Sequence, residues 1–473
     1  MRGPVRGQLL CNSRRVHPRF AVFFSDFFSV FFSRFPDLVE DTGHRNVCLG
    51  PEPRQFWSPM VWYSSRRIRT GVNRRIMAFL LGLLATLIRL WTWRARRREA
   101  SDLRDILCLE PYGMGDVISL EPLVRVLSRQ GFRVHVCARR PWKPLLSGDQ
   151  ITSWLDSRIP WASYDTKKKY SWRLMFGRGF REFMGHLRMR GRGAIGFDTR
   201  GDIRNVILLH LAGCTRVYTL SHYLGSDMKV LPAAARILPM NDHLERWRLN
   251  LEFLKVVNAT AGMDESPPSL GHLAAAGGKQ GKLRFVAFIA ASPWPGRLWA
   301  QERWRALSRK IVDSGLTPLV LHGPGQGEYA ESLARSRMFT VECPTIEDWV
   351  RRLQEATAVV SINTGPMHMA AALNKPLVVI DGPSKLPLWQ PAVSTSRVIH
   401  YQEEVKCAPC HQITSEEACG YECMKRITVE EVFRALLEVL EADVPDGFHT
   451  DRPVHAAGVR FKKTRGSRTR AGR

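Results

Sequence analysis

The stretch from Ser361 to Pro383 reads as one complete βαβ unit, and a chain that contains it is committed to a parallel sheet. Val359 to Ile362 predicts the end of a buried strand, and Asn363 to Gly365 a tight turn. Met367 to Leu373 predicts a short Ala-rich helix, and Leu377 to Ile380 the next strand. A turn of small residues at that place aims the first N–H groups of the helix, with their partial positive charge, at the carboxyl ends of the strands. Anions and diphosphates bind there.

The same grammar opens the globular part at Asp105. Ile106 to Leu109 is an apolar strand, Glu110 to Asp116 a Gly-containing turn, and Val117 to Gln130 an amphipathic helix with Val117, Leu120, Val124 and Leu127 at helical spacing. Arg133 to Cys137 is the second strand. Only Gly113-x-Gly115 is present, so the dinucleotide fingerprint Gly-x-Gly-x-x-Gly is absent and a nicotinamide oxidoreductase is disfavoured. Gly196 to Gly201 predicts a strand and polar turn, and Ile203 to Leu211 a helix. Asp198, Arg200, Asp202 and Arg204 alternate charge at that turn; they either bind an anionic acceptor or pair with one another on the surface.

Residues 267–283 are rich in Gly, Ala and Pro and read as a linker. Beyond it the pattern restarts, with strands at Phe285 to Ala290 and Thr317 to His322 and helices at Gln301 to Ser314 and Ile346 to Leu353. Two Rossmann-like halves, 105–266 and 284–440, then face each other across a cleft, the place where ligands of doubly wound sheets collect. A length of 473 residues accommodates two such domains and more.

The ends are different in kind. The chain carries 70 Lys+Arg against 44 Asp+Glu, and the excess concentrates in residues 1–104 and 447–473. Solvated basic arms, or arms drawn to an acidic surface, account for it. Residues 1–76 form a basic, Phe-rich extension with no period that closes a core face, and residues 441–473 a basic tail. Residues 77–98 carry an apolar run from Met77 to Trp93, broken at Arg89 and flanked by arginines on both sides. Seventeen helical residues span about 26 Å, short of a hydrocarbon core of about 30 Å. The terminal tryptophans and Arg89 suit the interface, so the expectation is a helix associated with the membrane surface; a spanning helix and a buried core helix are the competitors. The segment around Lys167, Lys168 and Lys169, interleaved with Tyr164, Tyr170 and Trp172, suits a phosphorylated lipid-linked acceptor or a solvated loop.

Several stretches, in order, resemble one family. ILCLEPYGMGDVISLEPLVRVLSRQG, FDTRGDIRNVILLHLAGC, ASPWPGRLWAQERWRAL, VLHGPGQGE and SINTGPMHMAAALNKPLVVIDGP are similar to the segments of glycosyltransferase family 9, the lipopolysaccharide heptosyltransferases, over about residues 105–440. The resemblance implies a GT-B-like α/β fold and an inverting transfer of a sugar, heptose first, from a nucleotide diphosphate to a lipopolysaccharide-type or other glycan acceptor. ADP-heptose is the implied donor, the inner leaflet the implied surface, and the cytoplasmic face of the inner membrane the implied location. No nucleic-acid partner is expected, and no cofactor for catalysis. A non-catalytic binder of membranes or nucleic acid would explain the charge, but not the paired motifs.

Such a reaction needs a base for the acceptor hydroxyl and a positive site for the leaving diphosphate. By residue chemistry alone Asp116 is a helix cap or a general base; the resemblance carries the base over to it. Arg297, Thr364 and Gly365 are the candidates for the diphosphate, His368 for the donor phosphate or sugar, and Glu328 for the ribose. Asn363 stands where the family usually has Asp, which keeps the hydrogen-bonding shape and loses the charge. Cys407, Cys410, Cys419 and Cys423 have a spacing that fits a structural zinc, or else reduced or paired thiols.

Overall fold

The computed structural model of the protein describes residues 83–90, 104–162, 177–220, 235–239, 241, 243–274, 284–335, 338–406, 408 and 420–442. They hold two six-stranded, wholly parallel sheets. The first contains β1 (Asp105–Leu109), β2 (Arg133–Ala138), β3 (Ser153–Asp156), β4 (Ile195–Asp198), β5 (Arg216–Leu220) and β6 (Arg236–Leu238), in the order β3-β2-β1-β4-β5-β6. The second contains β7 (Phe285–Ile289), β8 (Thr317–His322), β9 (Phe339–Glu342), β10 (Ala358–Ile362), β11 (Leu377–Ile380) and β12 (Ser396–Ile399), in the order β12-β11-β10-β7-β8-β9.

The two orders are the same doubly wound pattern used twice. The central strands are largely apolar, because helices cover both faces of a parallel sheet: FVAFI of β7 and AVVSI of β10 are buried along their whole length. The strand order reverses between β1 and β4 and again between β7 and β10. A crevice opens at the carboxyl ends of those strands, and the loops at these ends supply the site.

Helix α1 (Met114–Arg129) comes after β1, and α2 (Arg178–Gly191) and α3 (Ile203–Ala212) flank β4. Helix α4 (Arg246–Val256) packs on α1. In the second half α5 (Gln301–Asp313), α6 (Gly327–Ala334), α7 (Ile346–Glu355) and α8 (Gly365–Ala372) alternate with the strands, and α9 (Val429–Ala442) returns over β11 and β12. One apolar cluster runs through both halves, joining Val117, Leu120 and Val124 of α1 with Met367, Met369 and Ala370 of α8. At about 1.5–3 kcal/mol for each large side chain fully buried, a shared layer of this size resists separation of the halves.

Several boundaries differ from the expectation. Helix α1 begins at Met114, three residues before the apolar periodicity starts, which places Asp116 inside its first turn. Glu328, expected as a ribose ligand, lies in the first turn of α6. Within the expected linker, Pro268 and Leu270 are buried and the Leu270 N–H donates to the Ala372 carbonyl at 3.0 Å, so that part is tied to α8.

Of the expected membrane-associated segment, residues 83–90 are described and helical. Ala85 is buried in the layer that contains Leu107 and Leu109, whereas Leu83, Leu87 and Leu90 are exposed. Among the described residues no helix is long and apolar enough to cross a membrane. The Phe-rich extension, the rest of the apolar run, the basic segment around Lys168 and the tail from residue 443 lie outside the described residues.

Candidate active site

The site begins at the carboxyl end of β1. Gly113 is the extended N-cap of α1, and its N–H donates to Asp116 Oδ2 at 3.0 Å. A carboxylate in the first helical turn meets the positive end of the helix dipole, so Asp116 is held as a cap. Its other oxygen, Oδ1, accepts from Arg200 on the loop after β4. Cap and cleft-facing carboxylate are therefore the same side chain.

Arg200 is placed by the residues around it. Its guanidinium lies 4.9 Å from the centre of the Tyr112 ring and 5.8 Å from that of Trp389. The loop that carries it is organised by Asp198, which is fully buried and accepts from the Asp202 N–H at 2.8 Å, Thr219 Oγ1 at 2.7 Å, Asn205 Nδ2 at 2.9 Å and the Arg200 N–H at 3.2 Å. Burial, with the nearby Asp202 charge, pushes the Asp198 carboxyl up to about 6, while Asn205, Thr219 and the Arg200 N–H pull it back. Asp202 is fully buried too, and pairs with Arg204 and with the Tyr112 hydroxyl at 2.6 Å. Of the alternating charges of this turn, Asp202 and Arg204 do pair with one another, on a fully buried carboxylate, whereas Asp198 is held by neutral donors and Arg200 reaches Asp116. Both aspartates are structural anchors, and Arg200 is turned toward the cleft.

A second buried layer supports the first. Glu110 is sealed from solvent and accepts from Thr199 Oγ1 at 2.6 Å, and Arg246 at the start of α4 lies 3.6 Å from it while donating to the Thr199 carbonyl. Desolvation and the nearby Asp116 charge push Glu110 up to about 7, against the pull of Arg246 and Arg200.

The other half contributes the loops after β7 and β10. Thr364 is the N-cap of α8, with Gly365 and Pro366 opening the helix. Arg297, in a single 3₁₀ turn after β7, donates from Nη1 to the Asn363 carbonyl at 3.1 Å and lies over the Trp294 ring, 4.6 Å from its centre. A cation is thereby fixed beside the positive end of α8. His368, in the first turn, stands against Trp389 with ring centres 6.0 Å apart. Desolvation holds its imidazole down at about 4, so the ring is neutral near pH 7; Asp116 opposes that shift and Arg297 reinforces it.

The two halves touch at their glycines. A Cβ on Gly115 would lie 2.8 Å from His368 Cδ2, and one on Gly365 would lie 2.9 Å from Met114 Cβ. Only glycine at both places lets the first turns of α1 and α8 come this close. The first turn of α1, with Asp116 and its partner Arg200, therefore lies against the first turn of α8, with Thr364, Gly365 and His368, and both Asp116 and Arg297 act electrostatically on His368.

Asp116, Arg297, Asn363, Thr364, Gly365 and His368 are thus brought into one region. Glu328 is not tied to it: the residue lies at the head of α6, and no contact links it to this group among the described residues. Cys407, Cys410 and Cys419 lie outside the described residues, and Cys423 is buried beside Gly382. Three further participants, Glu110, Arg246 and Trp389, were not among the expected site residues. Trp389 is the most connected, with Arg200, Arg246 and His368 all against its ring. The one local hint is its position between Pro387 and Pro391.

Residues 242–420 match the family model of glycosyltransferase family 9 (heptosyltransferase). The chain is 32% identical over 103 residues to lipopolysaccharide heptosyltransferase 1 of Escherichia coli (strain K12), which is 21% of this chain and 32% of that protein. It is 28% identical over 141 residues to lipopolysaccharide heptosyltransferase 1 of Pseudomonas aeruginosa, 29% of this chain and 38% of that protein. The matched stretches thus span about a third of these relatives' own length. In three dimensions the chain is similar to the E. coli heptosyltransferase WaaC with ADP, at a TM-score of 0.55 and 17% identity, covering 71% of this chain and 99% of the other. It is likewise similar to a glycosyl transferase family 9 protein from Veillonella parvula, at a TM-score of 0.56 and 15% identity, covering 73% and 100%. These structural likenesses give the chain a GT-B-like fold.

Proposed function

We propose, for a chain whose residues 242–420 match the family model of glycosyltransferase family 9, that it transfers a sugar from a nucleotide diphosphate to the hydroxyl of a glycan acceptor. The observation that carries this reading is the meeting of the two helix N-termini, which brings the Asp116 carboxylate and the Arg297 cation together around His368. Asp116 takes the proton of the acceptor hydroxyl, and the oxygen attacks the anomeric carbon of the donor. The bond from that carbon to the diphosphate breaks, and the departing negative charge meets the N-terminus of α8 and Arg297. One displacement inverts the anomeric configuration.

Neutral His368 and Thr364 supply hydrogen bonds to the donor phosphate or sugar, and Glu328 contributes to the ribose only if donor binding brings α6 closer. No cofactor enters this scheme. Heptose is the first sugar to test, since the relatives named above are heptosyltransferases and the WaaC structure is one with ADP. A lipopolysaccharide-type, lipid-linked acceptor at the cytoplasmic face of the inner membrane fits the basic ends and the exposed Leu83, Leu87 and Leu90.

Ligand-dependent thermal stabilisation tests the donor. A nucleotide that binds only the folded chain adds about 2.7 kcal/mol at 100 times its dissociation constant. ADP is expected to raise the midpoint where UDP, GDP, CMP and NAD do not. A response to NAD alone would exclude the transferase reading.

A further inference from the structure

Asn363 is buried, with 4% of its surface exposed, and both hydrogens of its amide point inward. Nδ2 donates to Asp381 Oδ2 at 2.9 Å and to the Trp389 carbonyl at 3.0 Å. Asp381, 1% exposed, is itself fixed by the Ser384 N–H at 3.3 Å. With Nδ2 consumed, Oδ1 is the remaining polar atom of the side chain; it has no protein partner among the described residues and is not sealed from solvent. The backbone carbonyl of the same residue receives Arg297, so Oδ1 sits beside the positive site proposed for the diphosphate.

We propose that Asp381 is a specificity-determining residue for the donor sugar: it locks the Asn363 amide so that the site presents a neutral carbonyl oxygen, and it forbids a carboxylate there. The inference rests on the transferase reading above. An Asp at 363 would place a second carboxylate 2.9 Å from Asp381, and like charges at that distance cannot both ionise. An uncharged acceptor oxygen takes a hydrogen bond from a sugar hydroxyl without favouring a cationic amino sugar or repelling an acidic one. The ligand class is therefore a nucleotide sugar with a hydroxyl near its anomeric carbon, selected by hydrogen bonding and not by charge.

The test is a mutant cycle on the full chain with Asn363→Asp, Asp381→Asn and both together. It is read as the ligand-free Tm at pH 7 and as the KM and kcat for ADP-heptose. Asn363→Asp is expected to lower Tm by several degrees and to raise donor KM about tenfold, and adding Asp381→Asn is expected to restore most of Tm. The restored variant, with a carboxylate at 363, should still differ from the parent in KM. Unchanged Tm and KM in Asn363→Asp, or a double variant no better than the worse single one, would overturn the proposal. If ADP still stabilises the chain and turnover persists while donor KM is unmoved in every variant, the lock alone fails. Loss of any ADP response in the parent would remove the transferase reading and the lock with it.

Discussion

Arg200 donates to the Oδ1 of Asp116, so the candidate base stands in an ion pair before any acceptor is present. Both partners are largely shielded from solvent, at 16% and 11% side-chain exposure, which makes the pair stronger than an exposed one. An acceptor hydroxyl must share or displace that contact to reach the carboxylate.

Arg200→Gln is accordingly expected to slow acceptor-dependent transfer by about 10- to 100-fold, through loss of orientation at Asp116. Donor KM should change far less, because Arg200 pairs with Asp116 whereas Arg297 holds the Asn363 carbonyl beside α8. Steady-state kinetics with each substrate varied in turn would show the split, and an equal rise in both KM values would contradict the assignment.

Arg297→Ala should do the reverse. It removes a charge held by the Asn363 carbonyl at 3.1 Å beside the α8 N-terminus, so donor affinity is expected to fall about 10- to 100-fold, consistent with about 1.5–3 kcal/mol for a charge-assisted hydrogen bond. Calorimetric titration with ADP measures it directly.

Gly115→Ala and Gly365→Ala each force a methyl against the facing helix, at 2.8 Å from His368 Cδ2 and 2.9 Å from Met114 Cβ. Overpacking of this kind costs about 1–3 kcal/mol. The Gly365 variant is expected to be the more severe, since the first atom met there is a Cβ fixed to the backbone, whereas the His368 ring can turn. Denaturant unfolding of both variants checks the order.

The buried acids give a pH signature. An unfolded Glu110 titrates near 4.5 and the folded one near 7, so its contribution to stability is complete below about pH 4.5 and lost as pH rises through about 7. Asp198, raised to about 6, has the same sign; His368, lowered to about 4, has the opposite one, with its contribution lost as pH falls from 6.5 toward 4. Glu110→Gln should therefore flatten the decline between pH 5 and 7 by up to about 1.4 kcal/mol per pH unit, relative to the parent. Denaturation midpoints across that range would show it, and parallel curves would contradict the assigned shift.

Much of this arrangement was legible in the residues. Strands β8 and β11 fall at Thr317–His322 and Leu377–Ile380 as expected, because unbroken apolar runs bounded by Gly, Pro and charged residues leave little choice. The start of α1 was not legible: Met114 and Gly115 show no helical periodicity, and the turn forms because Asp116 reaches back to the Gly113 N–H. Asp198 and Asp202 look like a solvated turn in sequence. Their burial depends on Thr219, Asn205 and Tyr112, donors brought in from other elements. Arg246, Asp381 and Trp389 act only through tertiary contacts, and no local pattern can announce those.

Whether Asp116 is the base of a sugar transfer is decided by ADP release from ADP-heptose by the full chain with a lipopolysaccharide-core acceptor, compared with Asp116→Asn. Acceptor-dependent release is expected in the parent, with a loss of about 10²- to 10⁴-fold in kcat for the variant and stabilisation by ADP retained. Release at the parental rate from Asp116→Asn, with ADP still bound, would contradict it.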